Sequence, residues 1–436
     1  MFMQIDYETI KNIVLVITKV ITIFIAVFYL YQYLYPFLGF ILKNRKYKQA
    51  LKYHNYGYII CAHDEQEVIG QLIDSINKQN YPNELMHVFV VADNCNDKTA
   101  EIAKLHGATV FERFSPKKGK CYALDFAIKE INNKYSDLNI EAFFIFDADN
   151  LVHKDFTKKM NDMYDSGIEV GCGFRNSKNY DDNWITAGSS MTFIREAELI
   201  HKTRARLHIG TYVSGTGFYV SKKVLEKTNG WPFETLVEDI EFSVFCAMNK
   251  ITIGYCSDAE FFDEQPTTLK GVCNQRLRWC KGTHQCFYKY WYKLILAIFK
   301  NRSVASFEML AHVSPIPAIS FLWTIAASII LSVASFFYKI PFNVYYQDAL
   351  STIVNFYLLL IGVMTLQALI AYIHTYKRIR GNKLKIFFYN FTFAPFMALF
   401  LPLSSIALFK KVKWVKVPHT INKSIETLES SVNVNS

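Results

Sequence analysis

The stretch FDADN, residues 146–150, sets Asp147 and Asp149 two positions apart. In an extended segment alternate side chains project the same way, so the two carboxylates can share one divalent cation that neutralises a sugar-nucleotide diphosphate. Asp147 can instead touch the ribose or base and leave Asp149 as the principal metal ligand, and a solvated turn with capping acids would carry the same pair. A second acidic pair, Glu238 and Asp239 in LVEDIEF, opens a helical pattern. Acids at a helix start are favourable on any helix. They are also what inverting glycosyl transfer asks of a base that takes the proton from an acceptor hydroxyl attacking the anomeric carbon, and Asp239 is the candidate for that role. Asp93, in VVADNCND, either caps the helix that follows or accepts a nucleobase N–H.

Other stretches add partners to these acids. His63 and Glu65 in AHDEQE lie just beyond a short apolar run, where turn residues are also expected. FSPKKGK puts Lys117, Lys118 and Lys120 around Gly119 before a helix, which makes either an anion site for a diphosphate or a solubilising turn. VSGTGFYVS supplies Gly215 and Gly217 around Thr216, where backbone approaches a ligand closely, with Phe218 beside an acceptor sugar; a glycine bulge in a strand would read the same way. In NQRLRWCKG a helix aligns Gln275, Arg278 and Trp279 on one face and turns Arg276 elsewhere. An indole can floor a sugar ring and a guanidinium can bind phosphate oxygens, whereas a membrane-border helix would hold Arg and Trp at headgroup level.

Positioning these side chains requires strands that stop abruptly at the chemistry. Apolar runs ending near Ala62, Val91 and Phe146 alternate with amphipathic helical patterns, the first sharing Val68, Ile69, Leu72, Ile73 and Ile76 on one face. Alternating β and α with near-continuous apolar strands predicts an α/β fold with a mostly parallel sheet flanked by helices. Ligands of such sheets bind beyond the carboxyl ends of the strands, where Asp93 and Asp147 fall.

Around this polar block the 436-residue chain is markedly apolar: 51 % of residues are hydrophobic and 20 % charged. Residues 13–42 are long enough to cross a bilayer and lack the basic start and cleavage site of a signal peptide. Three more candidate spans are 307–337, 350–373 and 386–409, so the expected division is a transmembrane helix at 1–42, a globular domain at 43–302 with interfacial helices near 267–300, a membrane region at 303–409 and a tail at 410–436. Lys43, Arg45, Lys46 and Lys48 directly after the first span place the globular block in the cytoplasm of a multi-pass cell-membrane protein. The basic loop 374–385 agrees with this, but the equally basic stretch 410–420 would fall outside after four single crossings, unless the last segment, with Pro395 and Pro402, is re-entrant or broken. The net charge of +10 suits anionic membrane lipids or a phosphorylated substrate, and no basic low-complexity tail points to nucleic acid. Nine cysteines without a CxxC pair suit a reducing compartment.

Taken in order, Asp93, Asp147-Ala-Asp149, Glu238-Asp239 and QRLRW resemble the D, DxD, TED and QxxRW signature of membrane-bound family 2 glycosyltransferases, the cellulose, chitin, hyaluronan and poly-N-acetylglucosamine synthase type. The resemblance implies a GT-A domain with Asp93 on the uridine of a UDP-sugar, Asp147 and Asp149 on the diphosphate with Mg2+ or Mn2+, and Asp239 as base. It further implies Gln275, Arg278 and Trp279 closing over the nucleotide, Gly215 to Phe218 lining the acceptor end, and an inverting reaction giving β-linkages. Val237 stands where the family has Thr, and Cys61 where it usually has Pro. A processive polysaccharide synthase is the first expectation; a single-transfer glycolipid synthase on a membrane lipid, or a non-enzymatic nucleotide sensor, are the alternatives. Few spans for one polymer channel would imply an accessory subunit or a homo-oligomer.

Overall fold

The computed structural model describes residues 6–41, 45–345, 351–412, 421 and 424–430. Eight strands, β1 (Tyr56–Ala62), β2 (Met86–Asp93), β3 (Thr109–Arg113), β4 (Ala142–Asp147), β5 (Leu151–Val152), β6 (Val170–Ser177), β7 (Phe218–Ser221) and β8 (Ile253–Asp263), form one sheet in the order β3-β2-β1-β4-β7-β6-β8-β5. Period-two alternation explains why these runs are apolar throughout. Ile59, Phe89, Phe143 and Ile145 point into the core on one face, and Tyr58, Ile60, Phe144 and Phe146 into the core on the other.

The half β3-β2-β1-β4 is parallel, as expected. Beyond it the sheet is mixed: β7 is antiparallel to β4 and β6, β6 and β8 are parallel, and β5 is antiparallel to β8. The reversal has a local cause. The chain reaches β7 through a loop already bonded to the carboxyl end of β4, with Gly217 N–H donating to Ile145 O at 2.9 Å, so β7 has to run back along β4. Asp93 and Asp147 end β2 and β4 on either side of β1, where the chain order reverses, the place at which such sheets bind ligands.

Among the described residues three helices are long and apolar enough to cross a bilayer: Tyr7–Leu38, Ile316–Phe337 and Lys383–Phe409. The expected span at 307–337 is shortened, because Ser314 is extended before Pro315 and ends one helix, Val304–Val313, before the next begins. That first helix packs on the globular domain instead, with Met309, Leu310 and Val313 against Val244, Ala247 and Leu294. The helix Ser351–Thr375 follows, and the last apolar segment is broken into Lys383–Tyr389, a tight turn Asn390–Thr392, Phe393–Ala398 and Phe400–Phe409. Leu42 and Lys43 at the first expected boundary, and residues 413–420 of the basic tail, lie outside the described residues.

Candidate active site

Glu238 and Asp239 open the helix Glu238–Met248, and Val237 at its N-cap offers no side-chain acceptor for the first-turn amides. The two acids therefore stand at an uncapped, electropositive helix end. The long helix Leu269–Asn301 is pressed against the segment that carries them. A Cβ at Gly282 would lie 2.6 Å from Val237 Cγ2 and 2.9 Å from Val237 N, so only glycine permits this approach. Arg278 Nη1 donates to Leu236 O at 2.7 Å, and Leu236 N–H donates to Gln285 Oε1 at 3.1 Å.

Two cations face the acids. Lys120 Nζ donates to Asp147 Oδ1 and, at 2.7 Å, to Gly215 O. Burial opposes its charge, but Asp147 and Glu238 outweigh that and raise its pKa, so the ammonium persists. Burial pushes Glu238 up to about 7, the charge of Asp239 adds to this, and Lys120 and Arg278 hold it down. Asp239 is raised as well, chiefly by burial, against the Ile240 backbone N–H, Lys120 and Arg278. Both acids are therefore raised, and the titration of each depends on the charge of the other.

The loop before β7 is bonded at every step. Val213 N–H reaches Ser243 Oγ, Ser214 O accepts Arg175 Nη1 at 3.0 Å, Gly215 O accepts Lys120, and Thr216 Oγ1 takes the Asp147 N–H at 2.9 Å while donating to Asn150 Oδ1. Gly215 has φ +82° and a Cβ there would sit 3.8 Å from Asp239 Oδ2, so this glycine borders the acid. The rest of the motif corrects its sequence reading. Thr216 is buried with its hydroxyl spent on Asp147 and Asn150, Gly217 abuts the Phe261 ring, and Phe218 is a core residue packed on Trp231 and Phe242 rather than an acceptor platform.

The lysine cluster also resolves differently from its reading. Lys117 turns its ammonium over the Tyr122 ring and gives its carbonyl to Arg113, whereas Gly119 at φ +131° starts the helix so that Lys120 points inward. Asp93 accepts Arg113 Nη1 at 2.5 Å and Asn94 Nδ2 at 2.9 Å, and its carbonyl meets His63 Nδ1 at 2.7 Å. Glu65 lies in the loop after β1, where its N–H donates to Thr99 Oγ1 at 2.8 Å. Trp279 edges onto Phe193 at 6.0 Å and Gln275 is half-buried one turn before Arg278. Arg276 faces away, donating to Phe396 O at 2.5 Å.

Asp149 is buried, with Glu264 N–H donating to Oδ2 at 3.1 Å and Asn150 Nδ2 to Oδ1 at 3.2 Å. These contacts fix the Asp149 carboxylate in the turn just after β4, and two carboxylates offer the oxygen donors that suit a hard cation such as Mg2+ or Mn2+. The closest grouping of three potential ligands among the described residues is elsewhere, at Asp64, Cys95 and Asp97. There Asp64 Oδ1 accepts Asn96 N–H and Asp97 Oδ1 accepts Thr99 N–H, which is turn capping. Sequence reading missed Arg113, which clamps Asp93, and Arg175, which donates to Asp263 Oδ2 at 2.6 Å and stacks 3.7 Å from the Phe193 ring. Neither stands in a motif, and only the strand register could have found them.

A family described as "Glycosyltransferase like family 2" matches residues 54–282. The chain is 27 % identical over 254 residues to the beta-monoglucosyldiacylglycerol synthase of Trichormus variabilis, covering 56 % of this chain and 51 % of that protein. It is 20 % identical over 286 residues to the poly-beta-1,6-N-acetyl-D-glucosamine synthase of Staphylococcus epidermidis, covering 63 % and 67 %. The chain thus spans about half the length of the first of these relatives. Its fold is similar to that of the mannosyltransferase PcManGT from Pyrobaculum calidifontis, solved with GDP-Man and Mn2+, with a TM-score of 0.53, 15 % identity and coverage of 91 % of this chain and 99 % of that one.

Proposed function

Since the chain belongs to the family 2-like glycosyltransferases and has their GT-A fold, we propose that it moves glucose or N-acetylglucosamine from a UDP-sugar to an acceptor at the membrane, with inversion. The observation that carries this reading is the seat of Asp239: at a helix start, beside Gly215, under Lys120 and Arg278, on the edge that also bears Asp93 and Asp147. The acceptor oxygen attacks the anomeric carbon as the bond to the diphosphate oxygen breaks. Its proton passes to the Asp239 carboxylate, and UDP leaves with the bonding electrons. A cation bound at Asp147 and Asp149 would neutralise the diphosphate as a leaving group. Lys120 holds Asp147 and the Gly215 carbonyl in register, and Arg113 holds Asp93 for the base or ribose.

A growing β-linked polysaccharide is the preferred acceptor, and a membrane lipid is the second reading, favoured by the match to a protein named as a glycolipid synthase. Incubating membranes with labelled UDP-glucose or UDP-N-acetylglucosamine and Mn2+ and sizing the product decides between them. Long polymer supports the first, a labelled lipid the second, and no transfer from either defeats both. The rate is expected to rise with pH toward about 7, where Glu238 gives up its proton, because burial also raises Asp239 and the base acts only when ionised. The pair's effect on stability has the opposite sign. A raised carboxyl favours the fold fully below its ordinary value near 4.5, and the contribution is lost as pH rises through about 7. A kcat profile with no acid limb between pH 5 and 7 would contradict the assignment.

The domain division at 1–42, 43–302, 303–409 and 410–436 and the cytoplasmic, multi-pass placement belong to the same proposal. One feature favours a re-entrant last segment. The loop before it docks on the globular domain through Asn176 Nδ2 to Arg378 O and Asn382 N–H to Asp181 Oδ2, at 2.9 and 2.8 Å. After it, Ile421 N–H reaches Glu264 Oε2 at 3.1 Å, Lys78 pairs with Glu426 at 2.7 Å, and Ile425 and Leu428 bury against Leu151 and Phe262. A segment held at both ends on the catalytic side returns to the side it left. Thr427→Cys is therefore expected to react with an impermeant maleimide in inside-out vesicles and not in intact cells; labelling in intact cells only would reverse this topology.

A further inference from the structure

Glu241, two residues past Asp239, is fully buried and is held from two other elements. Its Oε1 accepts the Lys289 ammonium at 2.6 Å and the Tyr290 hydroxyl at 2.7 Å, and its Oε2 accepts the Thr235 N–H at 2.8 Å. Thr235 begins the segment leading into Glu238 and Asp239, while Lys289 and Tyr290 lie on the helix whose Gly282, Arg278 and Gln285 already press on that segment. A carboxylate withdrawn from water demands a compensating charge, and Lys289 supplies it. The pairing favours the Lys289 ammonium, since burial opposes its charge but Glu241 and Tyr290 raise its pKa instead.

Glu241 reaches no part of the Asp93, Asp147 and Asp149 edge, so these contacts form a clasp behind the site rather than a piece of it. We propose that Glu241 is a positioning residue for the reaction: by binding Thr235, Lys289 and Tyr290 together it sets how closely the Arg278-bearing helix seats on residues 235–237, and so where Asp239 stands relative to Gly215. The Lys289 side chain is 49 % exposed, so it reaches Glu241 from the border of the helix. This rests on Asp239 being the base.

The test uses the full chain in membranes, comparing Glu241→Gln, Lys289→Met and Lys289→Arg with Asp239→Asn. Glu241→Gln is expected to lower kcat about 10- to 100-fold with the donor KM and UDP affinity changed less than about twofold, since a displaced base slows the chemical step without touching the nucleotide. Lys289→Met should follow it and Lys289→Arg should recover most of the rate. Unchanged kcat in Glu241→Gln, or a parallel fall of kcat and UDP affinity, overturns the inference. Should Glu241→Gln fail to accumulate, the Lys289→Met and Lys289→Arg pair decides, as equal rates for the two refute the clasp. If Asp239→Asn keeps its activity, the base assignment itself has failed; if it is inactive while Glu241→Gln is normal, only the clasp has.

Discussion

Asp239→Asn is expected to slow sugar transfer by about 10²- to 10⁴-fold while UDP affinity stays within about twofold. The substitution keeps shape and removes the one property the mechanism needs, a carboxylate able to take the acceptor proton. Asp239 faces Gly215 from the start of its own helix, on a different element from Asp93 and Asp147, so the nucleotide contacts proposed for β2 and β4 are left in place. A second consequence follows from the coupling. Glu238 owes part of its upward shift to the charge of Asp239, so with Asn at 239 its pKa falls and the acid limb of any residual activity moves to lower pH. Retention of more than about a tenth of the rate would remove Asp239 as the base.

Asp149→Asn is expected to act on a different variable. The amide oxygen can still accept the Glu264 N–H, so the local fold is preserved, but a charged oxygen donor to the cation is lost. Several kcal/mol of charge stabilisation at the leaving diphosphate corresponds to a loss of about 10²- to 10³-fold in rate, with the Mn2+ midpoint moved to higher concentration. Chelation of the native protein should reproduce the loss and added Mn2+ should reverse it. A variant with wild-type Mn2+ dependence would place the cation elsewhere.

How much was legible in the sequence varied with the range of the interaction involved. The strand-end positions of Asp93 and Asp147 could be read because an apolar run that halts at a carboxylate marks the end of a buried strand, whereas Asp149 falls in the turn beyond β4. Asp239 was legible as a helix-start acid, though not the clamp on the preceding segment, which depends on Gly282 some forty residues later. Composition cannot show which of Lys117, Lys118 and Lys120 faces inward; the φ of Gly119 decides it. Phe218 followed from two glycines read as ligand contact, when β7 needed an aromatic for its core. The 307–337 span was overextended because hydropathy does not register that Pro315 breaks the helix. Arg113, Arg175 and Glu241 pair with groups in other elements, and no local pattern announces such pairs.

The central claim is metal-dependent, inverting transfer from a UDP-sugar with Asp239 as base. The most direct measurement gives membranes containing the native chain or Asp239→Asn a UDP-α-sugar, glucose or N-acetylglucosamine, with Mn2+ or chelator, and reads the anomeric configuration of the new linkage by NMR. The account predicts a β-linkage formed by the native chain with Mn2+ and neither with chelator nor by Asp239→Asn. An α-linked product, or transfer undiminished by chelation or by the substitution, would contradict it.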